Sequence, residues 1–439
     1  MKKFLLLNSP IFWDSTKEDE QYLSPLGLGY IATYLDKAGI EVELVDCVKN
    51  RISVEQIVDL INKRNPDFWG MNVFTQNYEL VKYIFKSAKT DGEAFIGGQA
   101  VKNIYTDILS WDVDKKINII IGEGELILPK VALGVCQEKP IIIRGSKKVY
   151  RVDRNSKYYP DNISDIYLDR RFLNDEITTN HYGEKEAAII TSRGCMYNCA
   201  FCGGAKSLNQ DITIRIRTEE SVIKEISEIV KAYPCVESVR ILDDLFLRNA
   251  GSIEMARRIF APFPTLSWRG MVHVLSLAKN LDKICELTQS RCKELFIGIE
   301  SGSMRIRKRI NKLGTIEDII NVSQNIMENG IDLKGYFIYG FPKETKEDFQ
   351  YTYELAYRLK EISEKTTGKF RTSVFQFRPY HGTQLYNEIL SEGGIIKRCT
   401  FNNSISQFEG RSQFNFDFGN YSLESDELLN DFIIKTQKL

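Results

Sequence analysis

The sequence predicts an α/β protein in two parts, a doubly wound parallel sheet followed by a partial (β/α)6 barrel. Three observations predict it. Over the first 135 residues, five short apolar runs rich in β-branched and aromatic residues alternate with helical stretches. The alternation resumes at Ala187 with six further β/α units. Between them lies a polar, tyrosine-rich segment that includes Lys157-Tyr158-Tyr159-Pro160-Asp161. Alternating β and α segments build parallel sheets, and six units rather than eight leave a barrel open.

In order, strands are expected at 4–7, 42–45, 68–74, 94–96 and 117–121. Their continuous apolar character suits strands covered on both faces. Helices are expected near 26–38, 54–63, 78–88, 102–109 and 125–133. Ser24-Pro25 reads as a helix start, Ser capping the free amides and Pro in the first turn, and Gly39 as its stop. One further strand fits 140–144. In the second part, strands fit 187–192, 237–243, 266–274, 294–300, 333–339 and 371–378, with helices near 219–231, 252–260, 278–289, 316–328 and 345–361. The expected division is a first domain over 1–140, a connector over 141–186, a barrel over 187–385 and a C-terminal extension over 386–439, whose structure the pattern does not assign.

At ~150 residues per domain, 439 residues give two or three domains with cores of their own. Lys+Arg and Asp+Glu are equal at 59 each, so no basic excess supports a nucleic-acid surface. Hydrophobic content of 43% and charged content of 27% are those of a globular protein. Met1-Lys2-Lys3 followed by Phe4–Leu7 imitates the start of a signal peptide, but Asn8, Ser9 and Pro10 interrupt the run and Asp14 follows. No run reaches the ~18 apolar residues of a membrane span, and the expected location is cytoplasmic. Nine cysteines without a secretory signal argue against a disulfide framework. Six of them (Cys47, Cys136, Cys235, Cys285, Cys292 and Cys399) read as small buried apolar residues.

The other three carry chemistry. Cys195, Cys199 and Cys202 have the spacing C-x3-C-x2-C on one tight loop directly after the strand at 187–192. Three thiolates can hold three corners of a cubane cluster and leave the fourth iron open, whereas a closed zinc site takes four protein ligands. An open iron is a site for a small chelating ligand.

With aromatic Phe201 before its third cysteine, this loop resembles that of the radical S-adenosylmethionine (SAM) superfamily. The resemblance extends along the barrel. Ile241–Phe246 looks like the second-strand motif whose acidic residue, Asp243 here, holds the SAM amino group. Gly298–Gly302, with Glu300 and Ser301, looks like the fourth-strand motif at ribose and carboxylate. Gly335–Thr345, containing Gly340, is similar to the fifth-strand motif near adenine. Arg378–Thr383 resembles the sixth-strand ending. The resemblance implies a [4Fe-4S] cluster on the three cysteines, SAM contacts that include Phe201 and Gly203, and reductive cleavage of SAM to a 5′-deoxyadenosyl radical that abstracts a substrate hydrogen. The protein's share is positioning and exclusion of water.

The N-terminal part resembles the Rossmann-like cobalamin-binding domain found upstream of many such barrels. Pro25, Leu26, Gly27 and Gly29 open its first helix. Gly27-x-Gly29-x-x-Ala32 imitates a dinucleotide fingerprint but does not follow a strand directly. Asp46 after the second strand fits the domain, as do Thr75 and Gln76 after the third, Gly97 and Gly98 after the fourth, and Gly122, Glu123 and Gly124 after the fifth. Glycines there let backbone approach a corrin closely. No histidine precedes His181, so this domain has no imidazole for cobalt. That suits the radical SAM subfamily, and equally a domain that has kept the fold and lost the cofactor. Of the three histidines, His381 is the one placed to face a substrate, and Trp268-Arg269 is a candidate SAM-pocket lining.

The resemblance implies a cobalamin-dependent radical SAM enzyme that methylates an unactivated carbon of a small metabolite or natural-product intermediate, with a flavodoxin or ferredoxin as electron donor and neither nucleic acid nor membrane as partner. A non-methylating relative (ring contraction, cyclisation or oxidation) and a non-catalytic sensor remain alternatives. No residue is assigned as acid or base.

Overall fold

The computed structural model describes residues 1–10, 22–174, 176–396 and 419–439. The first sheet contains β1 (Lys3–Asn8), β2 (Glu41–Asp46), β3 (Phe68–Asn72), β4 (Glu93–Gly97) and β5 (Ile117–Ile121), then a hairpin of β6 (Ile142–Arg144) and β7 (Lys147–Arg151). Its order is β2-β1-β3-β4-β5-β7-β6, and all neighbours are parallel except β6 and β7. The order reverses between β1 and β3, the switch point where a crevice opens at the carboxyl ends of the strands. Helices α1 (Leu26–Lys37), α2 (Val54–Arg64), α3 (Tyr78–Ser87), α4 (Val101–Leu109) and the short α5 (Leu128–Ala132) cover both faces. One face buries Leu5, Trp69 and Ile96 under α2–α4, the other Phe4, Phe68 and Phe95 near α1 and α5.

The strand expected at 140–144 is thus half of a hairpin, and the segment 141–186 extends both sheets. Its β8 (Thr178–Thr179) pairs antiparallel with β9 (Lys185–Ile189) at the edge of the second sheet. The cap expected at Ser24 is not made. Pro25 itself occupies the cap position, and the Ser24 hydroxyl donates to the Glu176 carbonyl at 3.3 Å. The helix does stop at Gly39, which has φ +81°.

The ribbon of β10 (Ser192–Arg193) and β11 (Arg215–Ile216) stands at the mouth of the second sheet. That sheet runs β9, β12 (Ser238–Ile241), β13 (Ser267–Val272), β14 (Cys292–Glu300), β15 (Asp332–Tyr339) and β16 (Phe370–Gln376), each parallel to the next. It is a curled half-barrel. Helices α6 (Glu219–Ala232), α7 (Ala250–Phe260), α8 (Val274–Ala278), α9 (Ile284–Gln289) and, past α10 (Met304–Arg309), whose Ile306 packs instead in a separate cluster with Ala200, α11 (Ile316–Glu328) and α12 (Lys346–Glu364) pack on its outer face. There they bury Val239, Trp268, Ile297 and Phe337 in one core. The helix expected at 278–289 is broken into α8 and α9, and α10 was not foreseen. In the C-terminal extension α13 (Gln384–Ser391) and α14 (Asp426–Gln437) are helical, and α14 closes the sixth strand through Thr372 and the Thr436 carbonyl at 2.9 Å. Residues 397–418 of that extension, with Cys399, lie outside the described residues. Cys47 and Cys292 are buried, but Cys235 and Cys285 are exposed, so the buried reading fails for these two. No described helix is long and apolar enough to cross a membrane.

Candidate active site between two strand-end faces

The cysteine loop leaves β10 through Gly194, whose φ of +92° favours glycine. Segments distant from it in sequence fix its course. Ala200 donates to the Ile310 carbonyl at 2.9 Å and accepts from the Leu385 amide at 3.0 Å. The Asn311 side chain holds the Asn198 carbonyl at 2.7 Å. Phe201 packs edge-on against Phe341 at 5.6 Å, which seals the loop's inner side with apolar surface.

Burial pushes the three thiols up, Cys202 to about 12. A metal centre must therefore displace protons to bind them. The Lys312 ammonium opposes that rise at Cys195 and Cys199, and the Gly204 amide donates to Cys202 Sγ at 3.3 Å. Among the described residues no three His, Cys, Asp or Glu side chains converge on a single metal position. A cubane asks for something else, one thiolate at each of three corners, and the loop's donor set fits that requirement.

The predicted strand-end residues fall into two groups. Asp243 is buried, and its oxygens accept from the Thr191 amide (2.7 Å), the Thr191 hydroxyl (2.6 Å) and the Ser192 hydroxyl (2.5 Å). It ties β12 to the root of the cysteine loop, and the neighbouring Asp244 is the carboxylate that faces the cavity. Ser301 is buried too, its hydroxyl engaged by Thr352 at 3.0 Å and by the Ser303 amide at 3.1 Å. Glu300, at φ +66°, is paired with the buried Lys312 at 3.1 Å. Gly298 leaves room for that pair, since a Cβ there would lie 2.3 Å from Glu300 Oε1. Gly340 has φ +88° and lies against Leu429. Trp268 does not line a pocket. It packs outward between Phe246 and Phe260 and donates to the Ser290 carbonyl at 2.9 Å.

A cavity of about 790 Å³ opens where the strand ends of the two sheets face each other. The first domain contributes Pro25, Gly27, Gln76, Gly97, Gly98 and the run Gly122–Glu125, and the barrel contributes Cys202, Gly203, Gly204 and Asp244. Leu26 and Gly29 are not in the lining; a Cβ on Gly29 would strike Leu168 and Leu173 of the connecting segment at 2.8 and 2.9 Å. Thr75 is turned to His381, whose Nδ1 it meets at 3.0 Å. His381 therefore latches the barrel's last strand end to the first domain and does not line the cavity. Asp46 accepts from Asn8 at 2.8 Å and from two amides of its own loop, so it anchors the switch point.

The cavity tests whether a corrin fits. A Cβ on Gly27 would meet nothing within 4 Å, and one on Gly97 would first meet an atom at 4.0 Å. Both backbones are open to the cavity, which below them is lined by Leu6, Leu28 and Phe95. A large flat apolar ligand with a polar rim fits such walls. Among the described residues the lining contains no histidine.

Sequence reasoning missed the charged joint that closes the cavity. Arg193 pairs with Glu125 at 2.8 Å and with Glu123 at 3.2 Å, and Arg215 pairs with Glu123 at 2.6 Å. All four are largely buried. They couple the glycine-rich end of β5 to the ribbon that carries the cysteine loop. A run such as Gly122-Glu123-Gly124-Glu125 signals a strand end, but nothing local indicates which arginines it will meet.

Fold and site together define a two-domain protein that presents a nucleotide- or corrin-type pocket to a three-cysteine loop. Residues 189–356 match the model of the radical SAM superfamily, and residues 16–132 match that of the B12 binding domain. The chain is a radical SAM protein with an N-terminal B12-binding domain, and these domains imply a [4Fe-4S] cluster, SAM and cobalamin as cofactors. Among curated relatives, it is 28% identical over 381 residues to an uncharacterized methyltransferase of Pyrococcus horikoshii, covering 85% of this chain and 80% of that one. Among solved structures, the radical SAM methyltransferase TsrM from Kitasatospora setae, with cobalamin and a [4Fe-4S] cluster bound, superposes with a TM-score of 0.62 at 17% identity, over 89% of this chain and 75% of that one. The cobalamin-dependent radical enzyme OxsB, with aqua-cobalamin and SAM bound, gives 0.63 at 16% identity, over 96% and 64%. Both likenesses show the shared two-domain fold.

Proposed function

We propose that the protein is a cobalamin-dependent radical SAM methyltransferase that methylates an unactivated carbon of a small metabolite or natural-product intermediate, in the cytoplasm, with electrons from a flavodoxin or ferredoxin. The observation that carries this reading is the single cavity shared by Cys202 and Gly203 of the cysteine loop and by Gly97, Gly98 and Gly122 of the first domain. Methyl transfer needs its two cofactors within reach of one substrate atom, and one chamber supplies that.

When bound, the cluster with SAM supplies a hydrogen-abstracting radical, and cobalamin supplies the methyl group. The chain's own part is placement. Cys195, Cys199 and Cys202 would hold the cluster, with Phe201 and Phe341 keeping water from its inner side. Asp244, exposed to the cavity beside Cys202, is better placed than Asp243 to receive the SAM amino group. The Glu300–Lys312 pair would flank the same ligand from β14. Gly27 and Gly97 would let the corrin rest against backbone, and Glu123, fixed by Arg193 and Arg215, would close the chamber toward solvent.

The test is anaerobic. The cluster is reconstituted, hydroxocobalamin is added, unbound cofactor is removed, and iron and cobalt are counted. About four irons and near-stoichiometric cobalt per chain, followed by label passing from methyl-labelled SAM into product, support the reading. Iron without cobalt would remove the methyl-transfer mechanism and leave a radical enzyme with a vestigial first domain. Cobalt and iron with SAM cleavage but no transferred label would favour a non-methylating reaction.

A further inference from the structure

The second sheet sorts its side chains by alternation. Val239 and Ile241, Leu295 and Ile297, and Leu333 and Phe337 enter the core beneath the helices. The intervening residues therefore face the barrel lumen, and many are charged. Near the amino ends of the strands the charges are matched. Arg269 donates to Glu186 (2.5 Å) and Glu294 (3.0 Å), and Arg371 donates to Glu294 (2.5 Å). At the rim Asp332 accepts from the Tyr182 hydroxyl at 2.5 Å and the Lys369 amide at 2.7 Å. Nearer the cavity, Glu300 is matched by Lys312.

Arg240, directly across from Arg269 in the strand register, breaks this pattern. Its guanidinium stands 5.4 Å from the centre of the Phe296 ring, and its Nε is buried with no hydrogen-bond partner among the described residues. Arg269 sits over the same ring at 5.5 Å with its donors engaged by carboxylates. Lys334, itself buried, adds an ammonium 5.8 Å from that ring. A buried guanidinium donor without an acceptor costs free energy that a fold does not keep without return, and a cation–π contact recovers part of it at most. The Lys334 ammonium lies beside the same ring, and an anion between the two would give the Arg240 donor its acceptor.

Above that level the lumen is apolar and only partly covered. Met271, Tyr336, Ile338 and Phe375 are half-buried, and Tyr336 stacks on Phe375 at 5.9 Å. We propose that the substrate carries an oxyanion group, a carboxylate or a phosphate or phosphonate, that Arg240 binds with Lys334 at its side. The rest of the molecule runs along the Phe296–Tyr336–Phe375 edge, and the reacting carbon stands at the mouth beside Cys202. The proposal rests on the reading of the barrel as a substrate-transforming site and names the substrate's class.

The test uses the reconstituted holoprotein in its oxidised form, with methylphosphonate and butyrate as probes and ligand-observed NMR titration as readout. At least one probe is expected to bind, and whichever binds identifies the kind of oxyanion. Arg240→Met and Lys334→Met should each weaken that probe about tenfold or more, the effect of losing a charge-assisted contact. Arg240→Lys should retain most of the affinity, and SAM should bind all variants nearly as it binds the parent. If neither probe binds, or if Arg240→Met leaves binding unchanged, the proposal is overturned. If Arg240→Met weakens SAM instead, the cation serves the SAM carboxylate and the proposal is likewise overturned. Failure of cobalt loading or of methyl transfer would sink the methyltransferase reading and leave this titration standing.

Discussion

Arg193 and Glu125, brought together from the two domains, form a buried ion pair at 2.8 Å two residues before the first cysteine of the loop. With Glu123 and Arg215 it makes the root of the cysteine loop and the end of β5 one electrostatic unit. Removing one partner of a buried pair leaves an uncompensated charge and costs about 3–5 kcal/mol. Arg193→Met is therefore expected to lower the unfolding midpoint markedly and to reduce the iron retained after reconstitution, because Gly194 would lose its fixed neighbour. Thermal unfolding and iron analysis check both. A variant that kept its stability and its iron would show that the joint does not hold the loop.

Two glycines of the same cavity should respond in opposite ways. Gly122 has φ +95°, and a Cβ there would lie 2.2 Å from the Val152 carbonyl oxygen. Gly122→Ala is expected to lose about 1–3 kcal/mol or more from backbone strain and overlap. Gly27 lies in α1 with open space before it. Gly27→Ala should be neutral or gain up to about 1 kcal/mol of helix propensity, while cobalamin binding weakens because the methyl occupies the chamber. Urea denaturation beside a cobalamin titration separates the two effects. Weakened stability in Gly27→Ala would contradict the open space, and unchanged cobalamin affinity would mean that the corrin does not rest there.

How much of this was legible follows from the range over which each signal acts. The β/α alternation was legible because a strand covered on both faces must be apolar throughout, and the cysteine loop because its spacing is covalent. Trp268 was misplaced because an aromatic on a barrel strand can serve either face, and only the register with Phe246 and Phe260 decides. Asp243 and Asp244 illustrate the finest limit. Adjacent carboxylates at a strand end point opposite ways, so a motif locates the pair but not the member that faces the cavity. Lys312 had no signal at all, since it reaches Glu300 only after α10 turns the chain back.

The cysteines can be separated by what their loss removes. Cys195→Ala, Cys199→Ala and Cys202→Ala should each fold and each lose the cluster's broad visible absorption, since a cubane on two thiolates is poorly held. Cys292, buried in the barrel core, is the contrast. Cys292→Ser places an additional hydroxyl in apolar surroundings, which costs about 1–3 kcal/mol, and should leave iron content unchanged. Iron loss in Cys292→Ser, or an intact spectrum in any of the first three, would contradict the assignment of the loop.

Glu344 offers a prediction in pH. Its side chain is buried, Oε2 accepts from the Gly340 amide at 2.7 Å and the Phe341 amide at 2.8 Å, and Oε1 has no hydrogen-bond partner among the described residues. Burial outweighs the two amides and pushes its carboxyl up to about 8. The folded protein therefore keeps a proton that the unfolded chain releases above pH ~4.3. Between those values the unfolded state binds fewer protons than the native state, so stability falls as pH rises. The contribution is fully present below the unfolded value and is lost as pH passes through about 8. Glu344→Gln removes this titration. The difference in unfolding free energy between parent and variant should shift toward the variant by up to about 1.4 kcal/mol per pH unit across this window and level off above it. The depressed imidazoles His181 and His273 titrate in both proteins and cancel in the difference. Urea midpoints at closely spaced pH values measure it, and a flat difference would mean that the two amides at the fifth strand's end hold Glu344 as a carboxylate.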